Sequence, residues 1–150
     1  MRIAALVVLV LLVAAAPAAA FERVVTREGR VGDARVGVSR MTAVRAQEAR
    51  APTVRGARWD FGCGGGRRST YVFDDRGVLA EFRTTCRSWR TADGTRVGDG
   101  RAIAEFREGA GASDEGCGLR IRRAGRIGLS VTFATRVGGV RALAVTRRSC

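Results

Sequence analysis

Residues Tyr71–Cys86, YVFDDRGVLAEFRTTC, carry a strand, a tight turn and a second strand. Tyr71 and Phe73 share one side of the first strand. Asp74-Asp75-Arg76-Gly77 has the composition of a turn, and Val78, Ala80 and Phe82 alternate after it toward Cys86. Upstream, Ala57, Trp59, Phe61 and Cys63 alternate with Arg58, Asp60 and Gly62, so a third strand precedes the hairpin. Period-two geometry sets Cys63 on the side of Trp59 and Phe61, and Cys86 on the side of Phe82, as a strand-to-strand disulfide requires. Gly64–Arg68 reads as the loop between them. Before these strands, Val36-Gly37-Val38-Ser39 leads into a helix from about Arg40 to Ala51. Ser39 suits its N-cap, Met41 and Val44 share one face, and Pro52 supplies the stop. The apolar stripe is thin, so this helix depends on docking to a sheet.

The same order returns downstream. Val36-Gly37 recurs as Val97-Gly98, 61 residues on, and Asp99 can cap a second helix with Ile103 and Phe106 as its apolar pair and Gly109 as its end. Gly109–Gly116 reads as a polar, glycine-rich loop. Cys117, Leu119 and Ile121 then alternate, Arg123–Arg126 makes a turn, and Ile127, Leu129, Val131 and Phe133 alternate again. In the last strand, Val140–Val145, Leu143 and Val145 are out of step with Val140, which predicts a bulge. The expected fold is therefore α+β. It has two tandem α-β-β-β repeats at 36–86 and 97–150, forming an antiparallel sheet with helices on one face. A linker at 87–96 joins the repeats, and an N-terminal segment at 21–35 carries Val24-Val25 as a short strand. The competing expectation is an all-β disulfide-bonded sandwich in which the weak helices are loops.

The first twenty residues read as a signal peptide. Arg2 is the positive start, Ile3–Ala16 the apolar run, Pro17 its break, and Ala18-Ala19-Ala20 a small-residue cleavage site before Phe21. The apolar run is shorter than the roughly 20 residues that span a bilayer. The expected localisation is secreted or cell-envelope, after cleavage near Ala20/Phe21. Four cysteines in an exported chain point to two disulfides, with three pairings open. The duplicated order selects Cys63–Cys86 and Cys117–Cys150, one pair bracketing each hairpin. A tetrathiolate zinc site needs closely spaced ligand pairs, and these spacings are long.

The chain carries 27 Lys+Arg against 14 Asp+Glu, a formal net charge of +13, and all of the basic residues are arginine. Loss of Met1–Ala20 removes only Arg2 and leaves +12. The absence of Lys, His and Asn fits a GC-rich coding sequence. The charge is physical whatever its origin, and it favours anionic polymers or membrane surfaces at low salt.

Catalysis finds little support. The commonest general base is missing, since the chain has no histidine, and the thiols are expected to be oxidised. Asp74-Asp75 are adjacent carboxylates, but turn residues that accept backbone hydrogen bonds explain them more simply. The stretch Gly62–Thr70, GCGGGRRST, has the glycines of a phosphate loop without its lysine, and a strand follows rather than a helix. A looser anion nest, glycine amides with Arg67 and Arg68, stays open. Trp89 stands between Arg87 and Arg90 in the linker, where it can stack on an anionic partner or plug the junction; packing is the favoured reading. No cofactor motif is present, and no element suited to reading nucleic acid in a groove is recognisable.

The stretch Val36–Val44, VGVSRMTAV, with Tyr71-Val72-Phe73 and Gly77-Val78, resembles the small α/β repeat of secreted β-lactamase-inhibitor-like proteins. Outer-membrane assembly lipoproteins of the SmpA/OmlA type share a similar unit. The likeness covers about Val36 to Val145. It implies an antiparallel sheet whose open face binds a protein partner, with hairpin tips contributing. On this chain those positions are Trp59, Phe61, Tyr71 and Phe82 on the sheet and Asp74-Asp75 at the tip. The chain departs from that pattern in lacking a lipobox cysteine and a distinctive inhibitory motif. The expected function is an exported, non-enzymatic protein-binding or envelope-associated module. The alternative is a cationic protein that holds an anionic cell-wall polymer or membrane surface through its arginines.

Overall fold

The structure, a computed structural model, describes residues 21–109, 112–114, 118–122, 127–134 and 138–146. The expected signal peptide, the Arg123–Arg126 turn and the Cys117–Cys150 pairing lie outside them. Three short strands open the described chain: β1 (Val24–Val25), β2 (Arg30–Val31) and β3 (Ala34–Arg35). Helix α1 (Met41–Gln47) follows, then β4 (Thr53–Arg55), β5 (Arg58–Gly64), β6 (Arg67–Phe73) and β7 (Leu79–Thr84). After β8 (Arg90–Thr91) come helix α2 (Arg101–Glu108), β9 (Ala112–Asp114), β10 (Gly118–Arg122), β11 (Gly128–Phe133) and β12 (Val140–Thr146). Among the described residues the protein is mostly antiparallel sheet with two short helices. The main sheet has eight strands in the order β4-β5-β6-β7-β12-β11-β10-β9, and a small one runs β3-β2-β1-β8.

Several expectations are corrected. Each helix is followed by four strands of the main sheet, not three, because the outer strands β4 and β9 extend that sheet at both ends. The 109–116 stretch therefore includes strand β9 and is not all loop. Residues 87–96 are no free spacer. Strand β8 pairs in parallel with β1, Val24 opposite Arg90 and Val25 opposite Thr91, which ties the N-terminal segment to the connector.

The helices also differ from expectation. Helix α1 ends at Gln47, with Glu48 already extended, well before Pro52. Its N-cap is Arg40 with no side-chain cap bond, because the Ser39 hydroxyl instead accepts from the Arg35 amide at 2.8 Å. Gly100, not Asp99, is the N-cap of α2. Asp99 accepts from the Arg96 amide at 2.8 Å and pairs with Arg107 at 2.7 Å.

Two register shifts decide which side chains face the core. Tyr71 pairs with Phe82 and Val72 with Glu81, but Phe73 pairs with Leu79, so Ala80 is an extra residue. A one-residue insertion reverses the parity of what lies beyond it. Leu79 and Phe82 are therefore both buried, and the expected Val78-Ala80-Phe82 alternation is broken. The bulge read near Val140 is found: Ala142 pairs with Thr132 and Val140 with Phe133, leaving Arg141 over. The core then fills from Val25, Val31, Val36 and Val44 on one side and Tyr71, Leu79, Phe82, Leu129, Leu143 and Val145 on the other. Burying each such side chain contributes about 1.5–3 kcal/mol.

Candidate functional site

The two faces of the β4–β7 half of the main sheet have opposite chemistry. On the inner face Phe61, Tyr71 and Phe82 are buried and form a run of ring contacts: Phe61–Tyr71 at 5.5 Å, Tyr71–Phe82 at 4.9 Å and Phe82–Trp89 at 4.6 Å. Phe21 continues it at 5.9 Å from Trp89. Trp89, 1 % exposed, is the plug between connector and hairpin. Trp59 is half-buried, edge-on to Phe73 at 5.1 Å. The Tyr71 hydroxyl donates to Glu48 Oε1 at 2.7 Å and accepts from Gln47 Nε2 at 3.2 Å. Burial, with the Glu48 charge beside it, pushes the Tyr71 pKa far above its ordinary value. The expectation that Trp59, Phe61, Tyr71 and Phe82 offer an open partner-binding face is thus corrected for Phe61, Tyr71 and Phe82, while Trp89 packs as the favoured reading had it. The helices and the small sheet cover that face, and these rings are core.

Asp74 and Asp75, the other expected contact, form the β6–β7 turn. Asp74 Oδ1 accepts from the amides of Arg76 at 3.0 Å and Val78 at 2.8 Å. Asp75 is exposed. Both belong to the turn, and Asp74 holds it through these backbone hydrogen bonds.

The outer face is polar and basic. Asp60, 6 % exposed, accepts from the Thr70 hydroxyl at 2.6 Å and from Arg58 Nε at 3.1 Å, and Arg68 Nη1 stands 3.9 Å away. Burial pushes the Asp60 pKa up, but the Thr70 and Arg58 bonds and the nearby guanidinium charges outweigh it and hold the carboxyl below its ordinary value. Asp60 is thus committed to its neighbours, and it anchors Arg58 and Arg68 along the strands. Beside it, Thr53, Arg55, Gly62, Gly64, Gly66, Arg67 and Arg68 border a hollow of about 350 Å³. Arg55, Arg67 and Arg68 are all exposed. Among the described residues, Arg55 and Arg67 have no carboxylate partner.

Local sequence explains how the hollow forms. Strand β5 runs on to Gly64 and β6 begins at Arg67, so the expected five-residue loop contracts to Gly65-Gly66. Both have positive φ, 58° and 72°, the pair of left-handed residues that a two-residue type I′ turn needs. Gly62 pairs with Arg68 and Gly64 with Arg67, leaving Cys63 as a bulged extra residue. Its sulfur bonds Cys86, with Cα atoms 6.0 Å apart. That link passes over β6 and fixes the hairpin that carries Arg67 and Arg68. Of the two expected disulfides, this one is present. Arg55 escaped the sequence reading, because β4 is too short to show a period.

A second feature was not anticipated. On α2, Ala104 and Glu108 face inward, while Ile103 is 49 % and Phe106 90 % exposed. The pair expected to be the apolar side of this helix faces solvent. Glu108 Oε1 accepts from the Thr91 hydroxyl, and burial pushes its pKa up, opposed by the Thr91 and Thr95 hydroxyls and reinforced by the charge of Asp93. Among the described residues no three His, Cys, Asp or Glu side chains gather as a metal site, and no helix is long and apolar enough to cross a membrane. Set against protein-family models, curated proteins and solved structures, the chain has no match.

Proposed function

We propose that the protein is an exported, non-enzymatic module that holds an anionic polymer of the cell envelope through the basic outer face of its main sheet. The observation that carries the reading is the hollow that Arg55, Arg67 and Arg68 border, beside an Asp60 already committed to Arg58, Thr70 and Arg68. Arginines carried on strands, beside glycine backbone that an anion can approach closely, suit phosphate or carboxylate groups repeated along a chain. The formal net charge, +13 for the chain and +12 without Met1–Ala20, supports attraction from a distance. Export rests on the Met1–Ala20 stretch and on the disulfide, which oxidising compartments maintain.

The architecture that serves this function is, in our reading, a tandem repeat of one helix and four antiparallel strands. The reading is supported by the order helix then four main-sheet strands occurring twice, with the last main-sheet strand of each half, β7 and β12, adjacent. A likeness to the secreted β-lactamase-inhibitor-like and SmpA/OmlA-like repeat belongs to the same proposal.

The test is retention on an immobilised polyphosphate, comparing the native protein with an Arg55→Gln/Arg67→Gln/Arg68→Gln variant. A control variant changes Arg35, Arg40 and Arg76, exposed arginines elsewhere. Both remove three charges. The reading expects early elution of the first variant only; equal shifts would reduce the binding to net charge and overturn a localised site.

A protein-binding module is the second reading, favoured by the outward Ile103 and Phe106. Binding to envelope protein that resists salt and is lost in Phe106→Ser would favour it.

A further inference from the structure

A second hollow, of about 220 Å³, lies against the disulfide itself and is bordered by Arg23, Glu48, Arg50, Ser69, Ser88 and Trp89. The two sulfurs are unequal. Cys63 is exposed, since the bulge lifts it out of the ladder, whereas Cys86 is 2 % exposed. Ser69 Oγ lies 3.5 Å from Cys86 Sγ as a donor and 2.9 Å from Thr84 Oγ1. Arg50 Nη1 reaches the carbonyl of Gly62, the residue before Cys63, at 3.4 Å. Arg23 stands across the hollow, 3.8 Å from Glu48.

We propose that this hollow is a thiol–disulfide exchange site for acidic low-molecular-weight thiols, with Cys63 the sulfur attacked and Cys86 the leaving sulfur. The arriving thiolate forms a new S–S bond to Cys63 Sγ. The bond between Cys63 and Cys86 breaks, and its electron pair leaves on Cys86 Sγ as a thiolate, to which the Ser69 O–H already donates. Solvent protonates that thiolate. A second molecule of the small thiol then attacks its own sulfur in the mixed disulfide, releasing the symmetrical small disulfide and leaving Cys63 and Cys86 both reduced. Two small thiols are oxidised for each protein disulfide reduced. Arg23 and Arg50 raise the local concentration of a thiolate that also carries carboxylates. A disulfide serving only as a staple needs neither the hollow nor the exposed sulfur.

The experiment incubates the folded, oxidised protein with glutathione, which is acidic, or cysteamine, which is cationic. Acid quenching and peptide mass spectrometry locate the adduct. Each rate is divided by that of an unfolded peptide disulfide carrying the same cysteines, which removes the intrinsic reactivity of the two thiols. The expected result is an adduct on Cys63 and a preference for glutathione of about tenfold, the low end of electrostatic focusing. The preference falls toward one in Arg23→Gln/Arg50→Gln. Because Arg23 touches Glu48, Arg50→Gln alone is made as well, and circular dichroism checks that each variant folds. An adduct on Cys86, no adduct under conditions that modify the peptide, or an unchanged preference in folded Arg50→Gln would each overturn the proposal.

Discussion

On helix α2 the carboxyl group of Glu108 is fully buried, while the ring of Phe106, two residues earlier, is 90 % exposed. The burial has a pH consequence. Glu108 is pushed above its ordinary value of 4.5 by burial, so the folded protein holds this proton more tightly than the unfolded chain. Its contribution to stability is full below 4.5 and is lost as pH rises through the folded pKa. Thermal melts across pH 4.5–7.5 should show Tm falling with pH in the native protein and a flatter profile in Glu108→Gln. Identical slopes would contradict the assignment.

The exposed side of the same helix should tolerate change. Phe106→Ser is expected to alter stability by no more than about 0.5 kcal/mol, as an exposed substitution does. Ala104→Leu, at a fully buried position, should cost about 1–3 kcal/mol through overpacking. Urea unfolding of the two variants checks the orientation of α2, and the reverse ranking would mean that Phe106 packs.

Removing the plug should be costly. Trp89 touches Phe82 and Phe21 and so joins the hairpin to the N-terminal segment. Trp89→Ala should lose about 3–5 kcal/mol, measured by denaturant midpoint. A loss under about 1 kcal/mol would mean that the indole is not core.

The disulfide should matter on a similar scale. It closes a sequence separation of 23 residues, worth about 3 kcal/mol in the chain-entropy model. Chemical denaturation of a Cys63→Ser/Cys86→Ser variant is the measurement, and an unchanged midpoint would sink the estimate.

Much of this was legible in the sequence, for reasons that can be named. The Asp74–Gly77 turn and the bulge beside Val140 follow from turn chemistry and period-two alternation, and the Cys63–Cys86 pairing was chosen from the order of the cysteines about the hairpins. Alternation says which residues share a face, not whether another layer covers it. Alternation therefore puts Phe61, Tyr71 and Phe82 on the correct side but cannot show that the side is covered, and all three are buried. Three-residue edge strands such as β4 and β9 hold too few residues to display a period, which hid Arg55. The facing of α2 is set by contacts distant in sequence, Thr91 to Glu108 among them, and its own residues point the other way. The turn before Arg67 and Arg68 was legible in part: consecutive glycines suggest left-handed backbone, but the longer Gly64–Arg68 loop read there contracts to Gly65-Gly66.

The most direct measurement of the central claim is the salt dependence of polyphosphate binding, followed calorimetrically between 50 and 200 mM NaCl, for the native protein and for Arg55→Gln/Arg67→Gln/Arg68→Gln. Three guanidinium–phosphate contacts should contribute about 2 to the slope of log K against log salt, by analogy with single-stranded nucleic acid. The account predicts a shallower slope by that amount, with weaker binding, in the variant. The same slope and affinity in both proteins would contradict it.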